Sequence, residues 1–190
     1  MTSGRDRSRK PSRPSRWTAV AAALLTALAL AGCGKAGSGA AIAPATLSVN
    51  SAALGQNVLP QRYTCHGAGI NPPINWSGAP PGTKSFALVV DDSSAPITPF
   101  IYWLVFHIEP GTTDIQEGML PTGARQALNS ANTQPYDAPC PVGHSHMYRF
   151  TVYALSTEID LPPGASLEQV WTAISAATIG RGRKVVTGYP

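Results

Sequence analysis

Lys84-Ser-Phe-Ala-Leu-Val-Val-Asp-Asp92 and Ile101-Tyr-Trp-Leu-Val-Phe-His-Ile108 are the two stretches on which the fold turns. In the first, Phe86, Leu88 and Val90 alternate with Ser85, Ala87 and Val89, a period of two that predicts a strand. The second is almost unbroken apolar, the mark of a central strand covered on both faces. Further out, Met147–Leu155 alternates again, with Tyr148, Phe150, Val152 and Ala154 on one side and Arg149, Thr151 and Tyr153 on the other. It predicts a third strand, half exposed. A helical period appears only near the C-terminus, where Leu167, Val170, Ile174 and Ala177 recur behind a capping box of Ser166 and Gln169. A short last strand is expected over Lys184–Gly188. Turns at Asn71-Pro-Pro, Ala79-Pro-Pro-Gly and Leu161-Pro-Pro-Gly punctuate the rest. The expected fold class is mainly β: an antiparallel β-sandwich with one or two short C-terminal helices.

Charge separates the ends of the chain. The 190 residues carry 14 Lys+Arg against 10 Asp+Glu, a net charge of +4. Arg5, Arg7, Arg9, Lys10, Arg13 and Arg16, with a single Asp6, hold all of that excess, so the chain past residue 16 is close to neutral. A domain without a basic face is not a nucleic-acid binder. The uncharged run Trp17–Gly32 that follows the basic segment reads as a signal peptide. It ends in Leu30-Ala31-Gly32-Cys33, a pattern like a bacterial lipobox. Residues 1–32 are therefore expected to be cleaved, and Cys33 to carry the acyl chains that hold the protein at the outer face of the bacterial cytoplasmic membrane. Residues 33–46, rich in Gly and Ala, read as a flexible tether, and residues 47–190 as the folded domain.

With Cys33 lipidated, Cys65 and Cys140 remain as a pair in an oxidising compartment, and a disulfide is the favoured reading. Its competitor is a metal site built from Cys65, His66, Cys140, His144 and His146. Neither Cys-x2-Cys nor His-Glu-x2-His is present, so no metal or cofactor is expected. There is no Gly-x-Ser-x-Gly elbow and no serine set beside a base, so no catalytic residue is assigned and the chain is not expected to be an enzyme. A metal-dependent hydrolase using Asp92, His144 and His146 has only thin support.

Six segments stand in a telling order: Arg62-Tyr-Thr-Cys-His-Gly67, Asn71-Pro-Pro-Ile-Asn-Trp76, Gly82-Thr-Lys-Ser-Phe-Ala-Leu88, Asp92-Ser-Ser-Ala-Pro96, Tyr102-Trp-Leu-Val105, and Pro139-Cys-Pro141 followed by His146-Met-Tyr-Arg-Phe150. Together they resemble the phosphatidylethanolamine-binding protein family, in its bacterial Raf-kinase-inhibitor-like branch. The resemblance implies a β-sandwich with a pocket at one end that takes small polar or anionic groups such as phosphate or a phospholipid head group. Carried over by position, it assigns ligand binding to Asp92, Tyr102, Trp103, Pro139, Pro141, His146 and Tyr148. Asp92 shares the parity of Phe86, Leu88 and Val90, which directs its carboxylate inward. Three departures bear on the pocket: Ser94 stands where the family has a second acid, Tyr102 where it has histidine, and Met147 where it has arginine. A phenol offers one neutral donor in place of a cation. The expected function is a membrane-anchored binding module with a regulatory role. The alternative is an inhibitor or partner of an extracytoplasmic protein such as a protease.

Overall fold

The computed structural model describes residues 45–95 and 97–190; the signal segment, the lipobox with Cys33, most of the tether and Pro96 lie outside them. Among the described residues, nine strands form two sheets. The larger contains, in spatial order, β1 (Ala45–Thr46), β9 (Thr178–Gly188), β8 (His146–Leu155), β4 (Ser85–Asp92), β5 (Phe100–Ile108) and β7 (Arg125–Gln126). The smaller is β2 (Ser48–Asn50), β3 (Ile74–Ser77) and β6 (Asp114–Ile115). All pairings are antiparallel except β1 on β9. Ala45 and Thr46, expected as tether, thus begin the sheet.

The centre of the large sheet is buried on both faces, and the alternation of its central strands sorts residues between two cores. Phe86, Leu88 and Val90 of β4 face the small sheet, with Trp103, Val105, Phe150 and Val152 from the neighbouring strands. Val49, Ile74, Trp76 and Ile115 close that core from the other side, Trp76 standing edge-on to Phe86 at 5.4 Å. Ala87 and Val89, with Leu104, Phe106, Tyr153 and Leu155, face the single α-helix of the described residues, α1 (Leu167–Ala177). The helix buries Val170, Ile174 and Ala177 there, and its first turn is held by the reciprocal Ser166–Gln169 capping box that the sequence predicts. Every residue of β4 is buried.

Two expectations need correction. Strand β8 is not half exposed: Thr151 and Tyr153, on its supposed outer face, are 1% and 7% exposed, Tyr153 packed with α1 and Ile159 and Thr151 lying under the Arg183 side chain. The last strand is not the short Lys184–Gly188 but eleven residues from Thr178. Its first half lacks apolar alternation because glycines occupy the inward positions. A side chain at Gly182 would collide with the backbone of Leu47, so the close crossing of the N-terminal segment over β9 requires glycine there.

Two irregularities in the β4–β5 ladder redirect side chains. Between Val90 and Asp91 the pairing jumps from Trp103 to Ile101, leaving Tyr102 as the extra residue. Tyr102 and Trp103 therefore both pack toward the inter-sheet core instead of opposite ways. A second jump, between Phe86 and Leu88, accommodates His107, whose φ is 56°. Its Nδ1 lies 3.3 Å from the carbonyl of Ile159, several residues along β5 from Tyr102.

Candidate binding site at the end of the sandwich

At the C-terminal end of β4, Asp92 turns inward beside the first residues of β8. Its carboxylate is 3% exposed as a residue and fully engaged: Oδ2 is 2.6 Å from His146 Nδ1, and Oδ1 accepts from the Ser94 amide at 2.7 Å. A carboxylate so close can only accept, which sets the proton of the imidazole on Nδ1 and leaves Nε2 free to meet a ligand. Ser93 and Ser94 clamp the turn onto β8, the Ser93 hydroxyl donating to the Met147 carbonyl and the Met147 amide donating to the Ser94 hydroxyl. Asp92 is thus at once a turn carboxylate and the support of His146.

Alternate residues of β8 then form a ladder of rings. His144 stacks on His146 at 4.5 Å, and His146 lies nearly parallel to Tyr148 at 6.1 Å. Tyr148 is wholly buried, and its hydroxyl, which interacts with the Tyr102 side chain, makes no well-formed hydrogen bond among the described residues. An orphaned buried hydroxyl costs about 1–3 kcal/mol, which a ligand accepting its proton would recover. Tyr102 meets Tyr148 edge-on at 5.7 Å and Phe100 at 4.8 Å. Burial, with the nearby Asp92 and Asp137 carboxylates, pushes the Tyr102 phenol up to about 12; burial also raises Tyr148. Both phenols are neutral donors at any physiological pH.

The proline-rich loop forms the rim. Pro139 and Pro141 are buried, and Pro141 lies against Gly188, where a Cβ would come within 2.5 Å of the Tyr148 ring. Cys65 and Cys140 are joined as a disulfide, with Cα atoms 5.3 Å apart, and the Cys65 amide donates to the Pro139 carbonyl at 3.0 Å. The rim is therefore tied to the Gln61–Tyr63 turn. Ligand atoms of Cys65, His66 and Cys140 lie within 4.8 Å of one another, but sulfurs bonded to each other offer no thiolate to a metal. Glu117 braces the same turn by accepting from the Arg62 guanidinium and, at 2.6 Å, from the Tyr63 hydroxyl.

Of the seven residues assigned from the sequence, Asp92, Tyr102, His146 and Tyr148 come together, and Pro139 and Pro141 stand at their edge. Trp103 is different: it is 2% exposed, its indole donates to Gln126 at 2.6 Å, and it supports the site from within the core. Sequence reasoning missed Tyr136, Asp137 and Asn129. The Tyr136 hydroxyl donates to the Tyr63 carbonyl, its ring stands edge-on to Trp103, and the Asp137 amide and Asn129 side chain both donate to the Tyr102 carbonyl. These residues fix the bulge that aims Tyr102. They sit in a long loop without periodicity, and only the adjacent Ala138-Pro-Cys-Pro141 motif pointed to them.

The sandwich and this cluster at its end place the chain in a known class of domains. Residues 49–189 match the model of the phosphatidylethanolamine-binding protein family, and the chain belongs to that family. It is 41% identical over 132 residues to a UPF0098 protein of Methanothermobacter thermautotrophicus, a match covering 67% of this chain and 87% of that one. It is 40% identical over 131 residues to LppC of Mycobacterium tuberculosis, which is named as a candidate lipoprotein; this covers 68% of the chain and 65% of LppC. The fold is shared with the crystal structures of CT736 from Chlamydia trachomatis (TM-score 0.67, 30% identity, 75% of this chain and 96% of that one) and of YbcL from E. coli (TM-score 0.68, 27% identity, 76% and 98%).

Proposed function

We propose that the protein is an exported lipoprotein, anchored through Cys33 to the outer face of the bacterial cytoplasmic membrane, whose sandwich end binds a small anionic or polar group of the phosphate or phospholipid head-group class. The observation that supports the binding reading is the buried Tyr148 hydroxyl, without a well-formed hydrogen bond among the described residues, beside the Asp92–His146 pair. Three groups converge there: the two phenols, as donors, and the Nε2 of the His146 imidazole held by Asp92. The family membership and the lipobox-like end of the leader support the rest. With Tyr102 standing where the family has histidine, selectivity rests on hydrogen bonding more than on charge.

Titration with phosphate, phosphoethanolamine and acetate, followed by NMR at the His146 ring, tests the site. Saturable shifts at His146, weakened at least about tenfold (~1.4 kcal/mol) in Tyr148→Phe, are expected. Absence of any shift with all three ligands sinks the reading. The anchor is tested separately, since Cys33→Ala is expected to move the protein from the membrane fraction to the soluble one.

A further inference from the structure

Asp91, the neighbour of Asp92, points the other way. It pairs with Arg149 across β4 and β8, and this pair forms one wall of a cleft of about 690 Å³ on the helix-covered face of the large sheet. The ladder sets out its floor in rows. Arg183 of β9 stands opposite Thr151 and donates to its buried hydroxyl at 2.9 Å; Arg181 stands opposite Tyr153. Trp171 of α1 rises above them, 43% exposed and edge-on to Tyr153 at 5.8 Å.

We propose that this cleft is a second ligand site, distinct from the Asp92 cluster, for an anion carried on a flat aromatic body. The volume suits a small organic molecule. Charge supplies the sign. The chain past residue 16 is nearly neutral, yet three of its few cations, Arg149, Arg181 and Arg183, line this one cleft. Arg149 is neutralised by Asp91, whereas Arg181 and Arg183 form no ion pair among the described residues. Glu168 is the only other acid lining it, so the balance is positive. Arg183 is held by Thr151 through Nε and interacts with the Tyr153 hydroxyl, which positions its terminal nitrogens toward the cleft for a carboxylate, sulfonate or phosphate. Trp171 and Tyr153, with Val89 and Ile101 beneath, supply the apolar surface on which an aromatic ring stacks. The two sites use opposite faces of the same strands, so occupancy of one leaves the other's side chains in place.

The test uses 8-anilinonaphthalene-1-sulfonate as probe, neutral N-phenyl-1-naphthylamine as the same body without charge, and inorganic sulfate as the charge without the body. The anionic probe is expected to bind once per chain and shift the Trp171 indole resonance. Its affinity should fall at least tenfold in Arg181→Ala/Arg183→Ala, be largely kept in Arg181→Lys/Arg183→Lys, and be unchanged in His146→Ala. The neutral analogue and sulfate should each bind at least tenfold more weakly than the probe. Equal binding of the neutral analogue, unchanged affinity in the double alanine variant, loss in His146→Ala, or no saturable binding overturns the proposal. Should the double variant lose its near-ultraviolet circular dichroism, the wild-type indole shifts decide: movement at Trp171 without movement at His146 upholds it, and the reverse overturns it.

Discussion

Asp91 and Asp92 are adjacent and almost equally buried, at 4% and 3%, yet their surroundings differ in kind. Asp91 meets a guanidinium that cannot give up its charge; Asp92 meets an imidazole that can. The Asp92 side is roofed by loops, cross-linked by a disulfide and crowded with tyrosines. The Asp91 side is an open cleft between a helix and a sheet. The contrast shows how a strand buried on both faces builds two chemically unlike environments from one dipeptide. Alternation alone separates them.

The largest effect expected concerns the bracing, which only the Asp92 side has. Closing 75 residues with a disulfide stabilises by about 4 kcal/mol through chain entropy. Cys65→Ser/Cys140→Ser should lose a comparable amount in urea denaturation, with hydrogen exchange rising first in residues 138–143. Exchange rising equally around Trp171 would break the contrast. Next come the aspartates themselves. Asp91→Ala leaves Arg149, a quarter exposed at the cleft, charged without its partner, at a cost of about 2–3 kcal/mol, whereas Asp92→Ala leaves an imidazole that can remain neutral and should cost only about 1 kcal/mol. Equal losses would erase the distinction.

Alkaline titration sharpens it further. Burial is the first cause of raised phenol pKa values at Tyr63 and Tyr102, both to about 12, and at Tyr136 and Tyr148, all on the Asp92 side; Tyr153 alone is raised on the other. A raised phenol contributes stability that is whole below its ordinary value near 10 and is lost as pH climbs toward the folded value. Absorbance at 295 nm should therefore lag in the folded protein and rise together with unfolding above about pH 10. Ready ionisation with near-ultraviolet dichroism intact would contradict the burial of this cluster. The smallest effect is Tyr148→Phe, which removes a buried hydroxyl with no well-formed hydrogen bond among the described residues and should raise stability, by about 1 kcal/mol, while weakening ligand binding at the Asp92 site.

The strands that carry both sites were legible because apolar alternation is strong in β4, β5 and β8, and the same parity put Asp92 inward beside His146 and Tyr148. Parity misleads where the ladder is irregular. It sends Tyr102 and Trp103 to opposite faces, and only the bulge, held by Asn129 and Asp137, brings both to one side. The front half of β9 was illegible for another reason: close crossing by Leu47 replaces its inward side chains with glycine, removing the signal that marks a strand. The exposure of β8 is not legible from alternation, because what covers Tyr153, α1, and what covers Thr151, Arg183, come from elements later in the chain.

Strand β8 sends His146 and Tyr148 to one environment and Arg149 and Tyr153 to the other. Point substitutions along it are read by one face at a time, so each environment can drift in chemistry while the other stands still. A one-residue insertion or deletion has no such latitude. It would slip the register of ten residues and turn the protein inside out along that strand, arginine facing the tyrosines' place and tyrosine facing the helix. The separation of the two chemistries is thus tolerant of spelling changes and intolerant of frameshifted length, a constraint written in the spacing of β8 and not in any single residue.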